Sequence, residues 1–346
     1  MTSSRLFKIL SYCCVLCCSC SAGGRTSSSV AGSAPARTAI VSQPAPTPSS
    51  VCSTGDLQTQ IEKIVRLTAG PVGVAVLELE SGELVSVSGK QHFPMQSVYK
   101  LPIGMAVLQQ VDNGVLKLDQ IVKVKQADLV PAGLGSPLRD RHPQGVDLSL
   151  SELLSSMIVD SDGTASDVLL NLIGGPEPAT KYLRDLGVED IVVATSEREM
   201  SQDDQAQYRN WSTPEAMVGL LKLLQEERGL SPASRELLLG WMTRTWTFPT
   251  RIKGLLPEGT VVAHKTGSSG TKNGLTRATN DVGLITMPDG HHLAIAVFVS
   301  DTKVDEKTRN GVIARSTRAA WDCWTNPGKR KEGSRNARSV PGSAPR

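Results

Sequence analysis

The chain has 346 residues, 39% hydrophobic and 21% charged, enough apolar material for one large domain or two subdomains around a substantial core. A formal net charge of +3 is too small to argue for nucleic acid, and 4% aromatic content argues against a base-stacking platform. Five of the seven cysteines (Cys13, Cys14, Cys17, Cys18 and Cys20) crowd an apolar run with no histidine near, which resembles no zinc site.

Residues 1–22 read as an export signal. Arg5 and Lys8 make a basic start, Ile9 to Cys18 an apolar segment too short to span a bilayer, and Cys20-Ser21-Ala22 a small-residue cleavage site. Cys20 is alternatively a lipid-anchor position, although Cys17 stands where a lipobox usually has leucine. The expected destination is the periplasm. Residues 23–51, rich in Ser, Ala, Thr and Pro, cannot bury enough surface to fold and read as a disordered linker. Folded structure is expected over 52–325, followed by a disordered basic tail at 326–346.

Within the folded part, Leu57, Ile61, Ile64 and Val65 recur at helical spacing from Thr54 to about Thr68, and Gly70-Pro71 ends that helix. Val72 to Leu79 and Leu84 to Ser88 flank Glu80-Ser81-Gly82-Glu83 as a hairpin. A helix from Ser97 to about Val111 stops at Asn113-Gly114. Residues 115–250 read as helix-rich, with 3.6-type spacing at 148–157, 165–172, 179–186, 214–226 and 232–243. Strands return at Val261-Val262-Ala263, Asp281 to Met287 and Leu293 to Ser300, and Asn310 to Trp324 closes the fold as an amphipathic helix. The nearly all-apolar run Leu293–Val299 is what a strand covered on both faces requires.

The expected architecture is α/β of the α+β kind. Residues 52–96 and 251–325 form one antiparallel sheet flanked by the terminal helices, 97–250 form a mainly helical subdomain, and a cleft lies between them. Cys52 opens the first helix and Cys323 closes the last. If those helices lie antiparallel on one sheet face, the two thiols meet, and an oxidising compartment would join them.

The chemistry starts from Ser97-Val98-Tyr99-Lys100. Residues three apart share a helix face, so the Lys100 amine can reach the Ser97 hydroxyl and act as its base. The helix start adds unpaired N–H groups that favour developing negative charge. Ser-x-x-Lys alone is common, and its plain reading is a helix start with a solvated lysine. Three more stretches change that: Ser161-Asp162-Gly163 at a helix break, Glu197-Arg198-Glu199-Met200 in a polar loop running to Asn210, and His264-Lys265-Thr266-Gly267 at a strand end.

Together, in this order, the four stretches resemble the class A serine β-lactamases, relatives of the penicillin-binding proteins. The separations agree with the family as well: 36 residues from Ser161 to Glu197 and 68 from Glu197 to Lys265. Local likeness at Asp203–Trp211 and His264–Lys272 points to the PER-type extended-spectrum branch. The resemblance implies hydrolysis of β-lactams by a monomer, with no cofactor, metal or nucleic acid. It implies Ser97 as nucleophile, with Lys100 or a water on Glu197 taking its proton. Ser161 and Lys265 would serve the leaving nitrogen, and Glu197 would activate the deacylating water. The backbone N–H groups of Ser97 and Ser268 would form the oxyanion hole. Thr266, Ser268 and Arg251 would hold the substrate carboxylate, unless Arg251 is merely a solvated surface arginine. Gly163 and Ser201 would border the substrate and the water.

Several positions depart from the family pattern. Gly163 and Ser201 each replace an asparagine, Gly135 replaces an aromatic at the rim, and Thr195 and Asn210 replace an Arg–Asp salt bridge that usually holds the loop. Glu199 competes with Glu197 for the water-activating role, although the spacing to Met200 and Lys265 favours Glu197. His264 reads as a structural or rim residue. The five histidines form no His-x-His or His-Glu-x-x-His pattern, which disfavours a zinc hydrolase. Two rival readings share parts of the pattern: a penicillin-binding DD-peptidase, and a non-catalytic β-lactam or muropeptide binder.

Overall fold

Successive side chains of a strand leave opposite faces, so an apolar run such as Leu293–Val299 must be buried twice over. The computed structural model, which describes residues 52–325, places it so. Leu293, Ile295, Val297 and Val299 join one apolar cluster, and Ala294, Ala296 and Phe298 join the other. The large, mostly β-branched set faces the terminal helices, and the set with two alanines lets the helical part approach closely.

In chain order the helices and strands are α1 (Thr54–Val65), β1 (Val72–Glu78), β2 (Leu84–Val87), β3 (Phe93–Pro94), α2 (Lys100–Asp112), β4 (Ile121–Lys125), α3 (Pro137–Arg141), β5 (Gly145–Ser149), α4 (Leu150–Val159), α5 (Gly163–Leu172), α6 (Pro176–Asp185), β6 (Ile191–Val192), α7 (Glu197–Gln202), β7 (Trp211–Ser212), α8 (Pro214–Gln225), α9 (Pro232–Arg244), β8 (Val262–Ser268), β9 (Thr271–Lys272), β10 (Leu275–Thr286), β11 (His292–Thr302) and α10 (Glu306–Thr325). The main sheet is antiparallel, in the order β2-β1-β11-β10-β8, with β9 pairing β10. α1 and α10 cover one face through Leu57, Ile61, Val312 and Ile313. α2, α4, α5, α8 and α9 bury their apolar faces in the larger cluster on the other side, which includes Val107, Leu154, Leu169, Leu221 and Leu238.

Cys52 and Cys323 form a disulfide, with Cα atoms 5.2 Å apart across a sequence separation of 271. The antiparallel placement of α1 and α10 brings the two thiols together as expected. The signal segment, the linker and the basic tail lie outside the described residues. No described helix is long and apolar enough to cross a membrane.

Several boundaries differ from expectation, among them β8, which runs on from Val262 to Ser268. Ile121–Lys125 and Gly145–Ser149 pair as a hairpin inside the region read as helical. The alternation of Val122 and Val124 with Lys123 and Lys125 is a strand signal outweighed by the helical surroundings. α4 begins at Leu150 rather than Leu148 because Ser149 and Glu152 form a reciprocal capping box. β10 begins six residues before Asp281, because buried Thr276, Thr279, Asn280 and Asp281 hide the strand from an apolar search. α10 begins at Glu306 rather than Asn310.

Candidate active site

Lys100 begins α2, directly after a 3₁₀ turn at Gln96–Tyr99 that carries Ser97. One turn of helix separates the two residues, and Lys100 Nζ lies 3.0 Å from Ser97 Oγ. Gln96, just before the serine, holds a left-handed backbone (φ 46°), an uncommon conformation of the kind found at functional sites. Asn280 of β10 secures this turn by donating from Nδ2 to the carbonyls of Pro94 (2.8 Å) and Met95 (3.0 Å). Gly267 of β8 lies against the same turn. A Cβ there would collide with the Met95 carbonyl and lie 3.1 Å from Val98 N, so only glycine lets the strand edge sit beside the serine.

Ser161 occupies the break between α4 and α5, also left-handed (φ 59°). Asp162, fully buried, caps α5 by accepting from Ala165 N (2.9 Å). It also accepts from Leu138 N (2.7 Å) and from the Ser136 hydroxyl (3.0 Å). The strained serine is thus held by its neighbour. Lys100 Nζ donates to the Ser161 carbonyl (2.8 Å), while Lys265 Nζ of β8 donates to Ser161 Oγ (2.9 Å). Burial pushes the Lys265 amine well below the usual lysine range, and the positive charge of Lys100 adds to the effect.

Glu197 starts α7, and its Oε1 lies 2.7 Å from Lys100 Nζ. Ser97, Lys100, Ser161, Glu197 and Lys265 therefore form one hydrogen-bonded chain from five stretches of the fold, around a cleft of about 630 Å³. Glu199 is directed elsewhere. It closes a capping box with Ser196 and accepts from the Thr195 hydroxyl (2.9 Å), and these hydrogen bonds hold its carboxyl below the ordinary range. His264 is buried against Asp281 (Nδ1 to Oδ1, 2.9 Å), a structural residue rather than a rim one.

The loop is held without the Arg–Asp bridge. Asn210 accepts on Oδ1 from Ala194 N (2.7 Å) and Thr195 N (3.0 Å), and donates from Nδ2 to the Thr195 carbonyl (2.9 Å). One buried amide replaces an ion pair by binding both strands of the loop. Gln96 Nε2 donates to Gln207 Oε1 (2.7 Å), tying the loop to the serine turn.

Asp167 on α5 has a role that spacing alone did not reveal. Its two carboxylate oxygens accept from Glu197 N (2.8 Å) and Arg198 N (3.0 Å), the free donors at the start of α7. A lone acid beside Val168, Leu169 and Leu170 was the available signal. Burial raises its pKa to about 6, against the two backbone hydrogen bonds that lower it. The folded protein therefore holds a proton between pH ~4 and ~6 that the unfolded chain releases. Stability is expected to fall as pH rises through that window, by up to about 3 kcal/mol for a shift of about two units, and then level off. Denaturant unfolding from pH 4 to 7.5 should show this slope, and Asp167→Asn should flatten it.

Three expected substrate contacts are placed differently. Gly163 is buried beneath Gly135, donating its N–H to the Gly135 carbonyl (2.9 Å), because it opens α5 behind Ser161. Ser201 is exposed and donates to the Arg198 carbonyl (2.6 Å), because a hydroxyl three residues on satisfies its own helix. Arg251 is neither solvated nor open to the cleft. It is 1% exposed and donates to the Gly267 carbonyl (3.1 Å) and to Ser268 Oγ (2.6 Å). Its charge reaches the cleft through Ser268. Burial lowers its pKa to about 10, which leaves it protonated at neutral pH. Gly135, Thr266 and Ser268 do line the cleft, and so does Phe248, whose ring lies 3.8 Å from the Arg251 guanidinium.

Comparison with known proteins agrees with this geometry. Residues 56–324 match the model of the Beta-lactamase enzyme family. The extended-spectrum β-lactamase PER-1 of Pseudomonas aeruginosa is 40% identical over 77% of this chain and 86% of its own. The β-lactamase VEB-1 of the same organism is 36% identical over 80% and 93%. Among solved structures, a β-lactamase from Chitinophaga pinensis matches with a TM-score of 0.77 at 47% identity, covering 78% of this chain and all of its own. TLA-3 extended-spectrum β-lactamase matches with a TM-score of 0.76 at 43% identity, over 78% and 98%. The chain belongs to the β-lactamase enzyme family, as a class A serine β-lactamase.

Proposed function

We propose that this enzyme hydrolyses β-lactams, oxyimino-cephalosporins among them, through an acyl-enzyme on Ser97. The observation that carries the reading is the Glu197 carboxylate, 2.7 Å from the amine that is itself 3.0 Å from Ser97 Oγ. A carboxylate so placed can activate a water beside the serine ester.

In acylation, Ser97 Oγ attacks the lactam carbonyl. The new C–O bond forms, the C–N bond breaks, and the serine proton leaves through Lys100 or through a water on Glu197. Ser161, held by Lys265, delivers a proton to the departing nitrogen. The backbone N–H groups of Ser97 and Ser268 stabilise the oxyanion, a contribution of about 10²–10³ in rate for one donor. Thr266 and Ser268 bind the substrate carboxylate, with Arg251 supplying positive charge from behind Ser268. In deacylation, water gives a proton to Glu197 and attacks the ester, and the proton returns to Ser97 Oγ.

Gly135 leaves the rim without a side chain, and this supports access for bulky cephalosporins. The relatives named extended-spectrum enzymes support it as well. The enzyme acts as a monomer in the periplasm, a compartment that the export-type leader and the Cys52–Cys323 disulfide support. Its leader is cleaved near Ala22, or Cys20 carries lipid. Mass spectrometry of the mature N-terminus separates these two.

Mixing with a chromogenic cephalosporin tests the activity. Continuous turnover that is lost in Ser97→Ala is expected. One stoichiometric burst would instead indicate a penicillin-binding peptidase, and no reaction a non-catalytic binder. A panel of penicillins, cephalosporins and carbapenems tests the spectrum, and penicillin turnover with no measurable turnover of oxyimino-cephalosporins would overturn the extended-spectrum part.

A further inference from the structure

At the end of the main sheet remote from the cleft, two carboxylates and an imidazole converge. Glu78 is the last residue of β1 and only 3% exposed, yet it carries a carboxylate. Its Oε1 lies 2.9 Å from His291 Nδ1. One donor atom from each of Glu78, Glu80 and His291 lies within 4.8 Å of the other two. Among the described residues, the ion pairs of Glu78 and Glu80 are made to His291 and His292, and none is made to lysine or arginine.

Two carboxylates within 4.8 Å of each other repel, and a cation held between them relieves that repulsion. We propose that Glu78, Glu80 and His291 bind one divalent transition-metal ion, of the zinc class by donor chemistry. Around a tetrahedral zinc, nitrogen and oxygen ligands at about 2.0–2.2 Å stand about 3.3 Å from one another. The Glu78–His291 separation of 2.9 Å needs only a small opening to admit the ion. One imidazole with two carboxylates suits zinc and its neighbours, whereas calcium and magnesium favour all-oxygen sites. Solvent takes the fourth position.

Each ligand is also oriented from behind, as metal ligands require. Glu78 Oε2 accepts from Ser81 N (2.5 Å). Glu80 is steered by His292, whose backbone N–H donates to Oε2 (2.9 Å) and whose ring meets Oε1 (2.9 Å). His291 sits in the turn between β10 and β11, fixed by Met287 N donating to its carbonyl (2.8 Å). Strand register separates this site from the catalytic one. Glu78 lies level with Leu293, Ile285 and Val262, and Ser268 is six residues further along β8, about 20 Å away. The ion therefore ties β1 to the β10–β11 turn and stabilises the folded state without entering the reaction.

Isothermal titration of tag-free mature protein, stripped with chelator, against zinc chloride tests this. The expected result is one saturable equivalent, with a rise of several degrees in Tm at saturation. His291→Ala and Glu80→Gln, both at exposed positions, should each weaken zinc binding at least ten-fold and remove the Tm gain. Both should leave turnover of a chromogenic cephalosporin unchanged. The proposal is overturned if wild type gives no saturable binding, or if His291→Ala binds zinc as wild type does. It is also overturned if magnesium or calcium produces the same Tm gain.

Discussion

Glu197→Gln is expected to trap the enzyme as its acyl-enzyme, with deacylation slowed by about 10³-fold. Glutamine has nearly the same shape but cannot take a proton from water. The substitution also removes the negative partner of a buried amine, since Lys100 is 1% exposed and Glu197 Oε1 lies 2.7 Å from its Nζ. Intact-protein mass spectrometry during turnover of a cephalosporin should show a mass increase on nearly all molecules. If the covalent species forms at the wild-type rate, Lys100 carries the acylation proton. If acylation slows equally, the glutamate serves both steps. Glu199→Gln is the comparison. It weakens a cap worth about 1 kcal/mol and should change kcat by less than about ten-fold. Accumulation of acyl-enzyme in Glu199→Gln but not in Glu197→Gln would reverse the assignment.

Removing the disulfide has the largest expected effect on stability. Cys52 and Cys323 close a sequence separation of 271, so the bridge restricts the unfolded chain strongly. The double change Cys52→Ser, Cys323→Ser is expected to cost about 3–5 kcal/mol, which lowers Tm by about 10 °C in a domain of this size. The bridge staples the start of α1 to the end of α10, whose side chains pack on the sheet face opposite the helical part. kcat at 25 °C should therefore stay close to wild type while the melting midpoint drops. An unchanged Tm would mean that packing of α1 on α10 already holds these ends.

Much of the site was legible because its chemistry lies in short stretches. Ser97 and Lys100 share a helix face by spacing alone, and Lys265-Thr266-Gly267 needs its glycine for one close approach. Spacing favours Glu197 over Glu199, and the two carboxylates point differently: Glu197 to Lys100, Glu199 into its own capping box. Arg251 and Ser201 turn differently from expectation for one shared cause. Residue type and position say which element a side chain stands on, but not which way it turns. The Arg251 guanidinium points into backbone carbonyls and Ser268, and the Ser201 hydroxyl points back along its own helix.

The amino-acid order by itself determined the helices and strands that carry strong apolar periodicity, the cysteine pair, and the four motifs with their order. Each of these depends on residues close in the chain or on counting along it. Only the tertiary structure decided what holds the loop, what anchors Glu197 and what gathers at the far end of the sheet. Asn210 clamps residues 15 and 16 positions away, Asp167 reaches across 30, and His291 meets Glu78 across 213. Such contacts follow from how strands register and helices dock, and no local pattern encodes them.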